Sequence, residues 1–426
     1  MKRLIRLVTV FLAWLGLLAN SKIPDGRFQF LLMPFKFTAG PLSPFLALFS
    51  GLGALGGLRR HDWLATLAGA AGLFFAVRHI QKVTDPHDEF EHAFGPDWAQ
   101  RIPHHMQWKL YSKRYELRPL SSPPADFAQD YVIGRHYETG KPLLADIWQP
   151  AADNPRTGIG LVYLHGSGWH YLDKDFKEST RPLFQHLTNQ GHLVVDVAYT
   201  LAPEATLIPM VADVKRAIAW MKTNADQLQI NPERIVLMGA SAGGHLALLA
   251  AYTPCHPILD PADVVGVDTA VYGVISNYGL SDLVTGHEGM ARIPQTPPLL
   301  ASYLEKLYKH GGMIPENGRY VEAADMIPNI LGGLPDEEPE MYQLASPITH
   351  VGTHCPATLL LNGTHDFGLD VEQHRQLHAA LYRHNVPCVH VEFNSADHAY
   401  DMVAPRWSPA AQAALYDIER FLALLI

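Results

Sequence analysis

A chain of 426 residues exceeds one ordinary domain, and its formal net charge of −9 supplies no basic face for a phosphate backbone, so nucleic acid is excluded as a partner. The three cysteines, Cys255, Cys355 and Cys388, show no CxxC spacing; they make neither a disulfide framework nor a zinc site and read as buried free thiols.

The first eighty or so residues are far more apolar than the rest. No charged residue occurs from Leu7 to Ala19, from Pro41 to Leu58, or from Trp63 to Val77. A helix half in water carries polar residues every third or fourth position, and these runs do not. Each is somewhat shorter than the roughly 20 residues a bilayer needs, but flanking residues extend it. Glycines such as those in Gly51-Leu52-Gly53-Ala54-Leu55-Gly56-Gly57 weaken a water-exposed helix and let membrane helices approach closely. Residues 1–82 are therefore expected to form a membrane region of two or three helices, with membrane lipid as a partner.

A cleaved signal peptide is the competing reading of Met1-Lys2-Arg3 and the run behind it, although Leu18-Ala19-Asn20-Ser21 is a poor cleavage site. With three spans, Lys2, Arg3 and Arg6 share the cytoplasmic side with Arg59 and Arg60, and the rest of the chain emerges outside. Against this stand Lys22, Arg27 and Lys36 in the loop from Asn20 to Gly40, which three spans would place outside. Two spans would keep the rest of the chain cytoplasmic.

Residues 83–129 turn polar and aromatic, punctuated by Pro86, Pro96, Pro103 and Pro119, and read as a linker or collar. His87, Glu89, Glu91 and His92 cluster there without HExxH spacing, so a solvated or headgroup-facing stretch is expected rather than a metal site.

From about residue 130 strands and helices alternate. Asp130 to Pro150 reads as two strands around the turn Glu138-Thr139-Gly140-Lys141. Strands follow at Gly158 to Leu164, His192 to Tyr199, Arg234 to Gly239, Val271 to Tyr278, Ala357 to Leu361 and Cys388 to Phe393. Helices are predicted at Arg181 to Gln190, Pro209 to Leu228, Gly243 to Tyr252 and Pro409 to Leu424. Such alternation means a mainly parallel eight-stranded sheet with helices on both faces, and chemistry at the carboxyl ends of its strands. Residues 284–340, rich in Pro and Gly, fit no strand–helix rhythm and read as a cap-like insertion over the site within a catalytic domain spanning 130–426.

Three motifs fall at strand ends. Gly239-Ala240-Ser241-Ala242-Gly243 sits between the strand Ile235-Val236-Leu237-Met238 and the helix opening at His245. Strand, tight turn and helix make the setting of a nucleophile elbow, with Ser241 pushed into the cleft at the positive end of the helix. His165-Gly166-Ser167-Gly168-Trp169 follows the strand ending at Leu164; a glycine-rich loop frees backbone amides to stabilise an oxyanion, with the amide of Ala242 as partner. Asp366 follows the strand Leu359-Leu360-Leu361, and His398 follows the last strand. Their chain order, Ser then Asp then His, suits this architecture, with His398 as general base and Asp366 holding its tautomer. Asp282 is a rival acid, better placed to cap a helix or line the pocket.

Together these residues resemble the hormone-sensitive-lipase-like branch of the α/β-hydrolases, close to its acetyl-esterase and feruloyl-esterase-like group. That branch carries an HGGGW-type loop, a Tyr-Arg-Leu-Ala-Pro-Glu stretch and a GxSAGG elbow before its Asp and His. Here the corresponding residues are His165 to Trp169, Tyr199-Thr200-Leu201-Ala202-Pro203-Glu204, and Gly239 to Gly244, and the resemblance runs from about Asp130 to the C-terminus. It implies the α/β-hydrolase fold and oxyanion donors at Ser167, Gly168 and Ala242. Ser167 replaces a glycine, so its loop must take a shape serine accepts. Thr200 replaces an arginine, which removes a salt bridge.

The function expected is a membrane-anchored serine hydrolase that cleaves small apolar carboxylic esters through an acyl-enzyme. Formamide or amide hydrolysis, or acyl transfer, would use the same site. A non-catalytic binding module would be expected to have lost a triad member. The mechanism carries its own nucleophile and base, so no metal or organic cofactor is expected.

Overall fold

The computed structural model describes residues 2–23, 26, 29–85, 89–121, 123, 125–136, 139–264, 266–310, 312–314 and 318–426; His87 and Glu138 of the sequence reading lie outside them. Strands of five to ten residues form one eight-stranded sheet. Its members are β1 (Asp126–Arg135), β2 (Pro142–Gln149), β3 (Gly160–Leu164), β4 (Leu193–Val197), β5 (Ile235–Ala240), β6 (Gly273–Asn277), β7 (Ala357–Gly363) and β8 (Cys388–Phe393), in the order β1-β2-β4-β3-β5-β6-β7-β8. Pairing is antiparallel at β1–β2 and β2–β4 and parallel everywhere else. Strands buried on both faces need no alternation, which is why β3 and β5 read as solid apolar runs.

The helices preceding the sheet are α1 (Lys2–Ala19), α2 (Gln29–Ala39), α3 (Ser43–Arg59), α4 (Trp63–Val83), α5 (Glu89–Phe94), α6 (Trp98–Arg101) and α7 (His104–Gln107). Those that alternate with strands or follow them are α8 (Lys177–Gln190), α9 (Leu207–Thr223), α10 (Ala225–Leu228), α11 (Ala242–Tyr252), α12 (Leu283–Ala291), α13 (Pro298–His310), α14 (Ala323–Leu331), α15 (Pro339–Ala345), α16 (Glu372–Arg383) and α17 (Pro409–Leu424). One face of the sheet, with Val162, Val195 and Leu237, packs on α9, α11 and α16. The other, with Tyr163, Val236 and Met238, packs on Phe184 of α8 and on Ala413, Ile418 and Phe421 of α17.

Among the described residues, the expected membrane region holds four helices, α1 to α4. Arg6 pairs with Asp62 at 3.1 Å, joining the start of α1 to the start of α4, and Asn20 at the end of α1 donates to the carbonyl of Phe75 at 2.8 Å. α1 and α4 therefore run parallel, with α3 antiparallel between their ends. A Cβ on Gly69 of α4 would lie 2.4 Å from the amide nitrogen of Ala54 in α3, so only glycine permits this approach. Among the described residues, α4 alone is long and apolar enough to cross a membrane; α2 and α3, bent by 89° at their junction, qualify together as a broken span. α2 occupies what the sequence suggested was a loop.

Residues 83–129 are a packed collar. Phe90 of α5 is buried against the sheet, while Glu91 and His92 are exposed, His92 stacking on Tyr382 at 4.8 Å. The 284–340 insertion is mostly helical, α12 to α15. Its prolines open α13 and α15, and Gly332 caps α14 in the left-handed conformation; the punctuation hid the helices. Cys355 and Cys388 are buried, but Cys255 is exposed, contrary to expectation.

Candidate active site

β5 delivers Ser241 into a strained turn, φ 52° and ψ −118°, and α11 starts at the next residue. The turn survives because its neighbours lack side chains: a Cβ on Gly243 would stand 2.0 Å from the carbonyl oxygen of Leu164. The hydroxyl of Ser241 lies 2.9 Å from Nε2 of His398, and Nδ1 of His398 lies 2.7 Å from Oδ2 of Asp366. A carboxylate only accepts, so Nδ1 carries the proton and Nε2 is left to accept from serine. Asp366 is buried, and its Oδ1 accepts the amides of Gly368 at 3.0 Å and Leu369 at 2.9 Å, which fixes the carboxylate plane. Ser241, His398 and Asp366, far apart in sequence, thus form one hydrogen-bonded line.

Burial alone would lower the His398 pKa. The adjacent Asp366 carboxylate outweighs that effect, with help from Asp401 and Asp397, and holds the imidazole above its usual value. Asp401 accepts from Tyr278 Oη and, at 2.8 Å, from Asn277 Nδ2, while the Tyr278 ring packs 4.7 Å from His398. Asp282 takes no part: it caps α12, accepting from Val284 at 2.9 Å.

The loop after β3 reaches the same point. His165 donates from Nδ1 to the carbonyl of Gly166 at 2.9 Å and stacks on Tyr199 at 4.5 Å; burial pushes its pKa down and keeps it neutral. Ser167, Gly168 and Trp169 take φ of 111°, 62° and 63°. Serine is strained there, and its hydroxyl donates to the carbonyl of Tyr171, a bond that holds the turn. Trp169 is fully buried beside His245. Ala242 is the first residue of α11, where an amide has no carbonyl one turn back to bond. Where the resembling enzymes place an arginine, Thr200 instead donates to Asp213 at 2.7 Å, and Asp213 also pairs with His136 and Arg216.

A cavity of about 470 Å³ opens at Ser241. Met290, Ile293, Tyr308 and Met326 of the insertion contribute to its lining. Leu183 of α8, Tyr163 and Met238 of the sheet, and Ala411, Ala414, Leu415 and Ile418 of α17 line it as an apolar corridor between the two helices. Phe37 of α2 contributes to the lining. Sequence reading missed Phe37, Asp397, Asp401 and Lys36. The two aspartates flank His398 closely enough to have been noticed; nothing local marks Lys36 or Phe37, which come from one helix, α2, more than three hundred residues away from His398.

Similarity to known proteins follows the same region. The chain is 30% identical to the probable carboxylic ester hydrolase LipM of Mycobacterium tuberculosis over 300 residues, 70% of this chain and 62% of LipM. It is 27% identical to the esterase LipQ of the same organism over 355 residues, 82% of this chain and 76% of LipQ. A solved structure of Thermogutta terrifontis esterase 2 superposes with a TM-score of 0.51 at 20% identity, covering 70% of this chain and 94% of that one, which places the fold among the α/β-hydrolases. The family model described as BD-FAE matches residues 145–381, more than half of the chain and including both the oxyanion-type loop and the elbow, and this protein belongs to that family.

Proposed function

We propose that this protein is a serine carboxylic ester hydrolase, held at a membrane by its N-terminal helices and acting on esters that are apolar on both sides of the carbonyl. The observation that carries the reading is the line from Ser241 through His398 to Asp366 at a cavity lined mostly by apolar side chains. Ser241 attacks the ester carbonyl as His398 takes its proton. The negative charge forming on the carbonyl oxygen is met by amides of Ser167, Gly168 and Ala242, each such donor being worth roughly 3 kcal/mol in the transition state. His398 then returns the proton to the departing alcohol oxygen. Water, activated by the same histidine, releases the acid and restores Ser241. Kinship with proteins named as ester hydrolases favours esters over amides.

Support for the membrane comes from the N-terminal helices, which expose Leu7, Phe11, Leu52, Leu55, Leu67 and Phe74 among other large apolar side chains. Such a surface is costly in water. The 21 residues of α4 reach about 31 Å, close to the hydrocarbon thickness of a bilayer. Lys2, Arg3, Arg6, Arg59 and Arg60 gather at the end of the bundle away from the sheet. That end is then cytoplasmic and the catalytic domain extracytoplasmic. Lys36, which counted against this as a loop charge, is buried in an ion pair with Asp397 instead.

A fluorophosphonate probe tests the nucleophile, and paired aryl ester and anilide substrates test the reaction. Labelling that disappears in Ser241→Ala, with ester cleavage far exceeding anilide cleavage, is the expected result. Equal labelling of both proteins, or a preference for the anilide, overturns the reading.

A further inference from the structure

We propose that Lys36, on α2 and outside the family-matched region, is a positioning residue for the catalytic Asp366 and His398, so that the seating of the N-terminal helices sets turnover. This rests on the triad reading above. Lys36 is almost fully buried, 2% exposed. Its ammonium lies 3.0 Å from Oδ2 of Asp397 and donates to Nδ1 of His365 at 3.2 Å. Asp397 immediately precedes His398, and His365 immediately precedes Asp366. One cation thus holds the residue before each of two triad members.

The two loops already move as one. The amide of His365 donates to the carbonyl of Ala396 at 2.9 Å, and that of Ser395 to Oγ1 of Thr364 at 3.0 Å. What remains to be fixed is where this joined unit stands relative to Ser241, which sits on a different strand. On one side Asp401 ties it to Asn277 and Tyr278 at the tip of β6. On the other side the ties come from the N-terminal helices: Lys36, and Lys82 of α4, which donates to Ser395 at 3.3 Å. A displacement of α2 is therefore passed to the 2.9 Å contact between His398 and Ser241. A buried ion pair is poor value as a source of stability, because desolvation cancels most of its attraction, whereas it fixes geometry well. Misplacing a reacting group by 1 Å costs up to about a hundred-fold in rate. Phe37, the next residue, lines the substrate cavity, so the same helix touches both substrate and catalytic loops.

The test uses the full-length protein in detergent, with the wild type, Lys36→Met, and Lys36→Met combined with Asp397→Asn. The double variant leaves no buried charge without a partner and serves if the single variant fails to fold. Fluorophosphonate titration counts competent sites, so that kcat is expressed per site and lost folding does not count. Both variants are expected to lose about ten-fold or more in kcat per titrated site with KM little changed. A wild-type rate per site in either variant overturns the proposal; in the double variant it would mean that an orphaned Asp397, not a lost tether, slowed the single one. A wild-type protein that neither labels nor cleaves esters would instead sink the hydrolase reading.

Discussion

The corridor between α8 and α17 makes a quantitative claim about acyl length. α17 begins beside the loop that carries His398, and Ala411, Ala414 and Ile418 line the cavity at successively greater distance along the helix from that loop. The helix between Ala411 and Ile418 rises about 10 Å. An extended octanoyl chain is on the order of 10 Å at ~1.5 Å per carbon–carbon bond and matches that depth. An acetyl group fills only the mouth. Each buried methylene contributes about 0.8 kcal/mol, or about four-fold in kcat/KM, if the corridor takes the acyl chain. Ala414→Leu keeps helix propensity high and places three further carbons across the passage. About three methylenes of an octanoyl ester then lose their site, about 2.4 kcal/mol, or roughly sixty-fold. The assay is kcat/KM for p-nitrophenyl acetate, butyrate and octanoate in one detergent. Acetate cleavage should stay near wild type and act as the control for folding. An unchanged octanoate-to-acetate ratio in Ala414→Leu would refute the corridor as the acyl site.

Because Asp366 and its neighbours hold the His398 pKa above 6.5 and catalysis needs the neutral ring, kcat/KM should fall as pH drops through a value above 6.5; an acid limb centred at or below 6.5 contradicts this. Asp366→Asn should reduce kcat on the order of 10⁴-fold, the scale known for a triad aspartate. Asp282→Asn should leave kcat near wild type, since asparagine also caps helices well; the reverse ranking in steady-state assays would reassign the acid. Gly243→Ala drives a Cβ into the Leu164 carbonyl and should cost at least about 3 kcal/mol, seen as a lowered thermal midpoint. In sealed right-side-out vesicles, protease should remove a C-terminal tag without detergent; a protected tag would place the catalytic domain in the cytoplasm.

The sheet and the triad were legible in the sequence because both obey local rules. A strand buried on both faces is a short solid apolar run, and β3, β5 and Leu359, Leu360 and Leu361 of β7 look like one, while Asp196 interrupts β4 and His390 and Glu392 interrupt β8. The elbow announces itself because its strained serine forces glycine two residues to either side, as the clashes at Gly239 and Gly243 demonstrate. Asp366 and His398 could be chosen from many acids and histidines because each follows a buried strand at the same end of the sheet. The insertion was misread for a related reason. Prolines that open helices and glycines that close them look like loop residues when the helices between are only nine to thirteen residues long.

What the sequence could not convey was which distant segments share a surface. Lys36 lies in a stretch where a cation looked like a loop charge, and charge counting assigned it to one side of a membrane. Folding places α2 against the β7 and β8 loops, and the same cation becomes internal to the catalytic region. The N-terminal helices follow a logic of small residues and apolar surface, and the hydrolase follows one of strands and elbows. Neither pattern predicts a contact between the two, because an ion pair across 361 positions leaves no periodic trace. The family-matched residues 145–381 contain Ser241 and Asp366, whereas His398, Lys36 and Phe37 lie outside them. The family-matched region therefore holds the proposed nucleophile and acid, while the proposed base, the positioning proposed for Lys36 and the Phe37 part of the cavity lining depend on segments outside it.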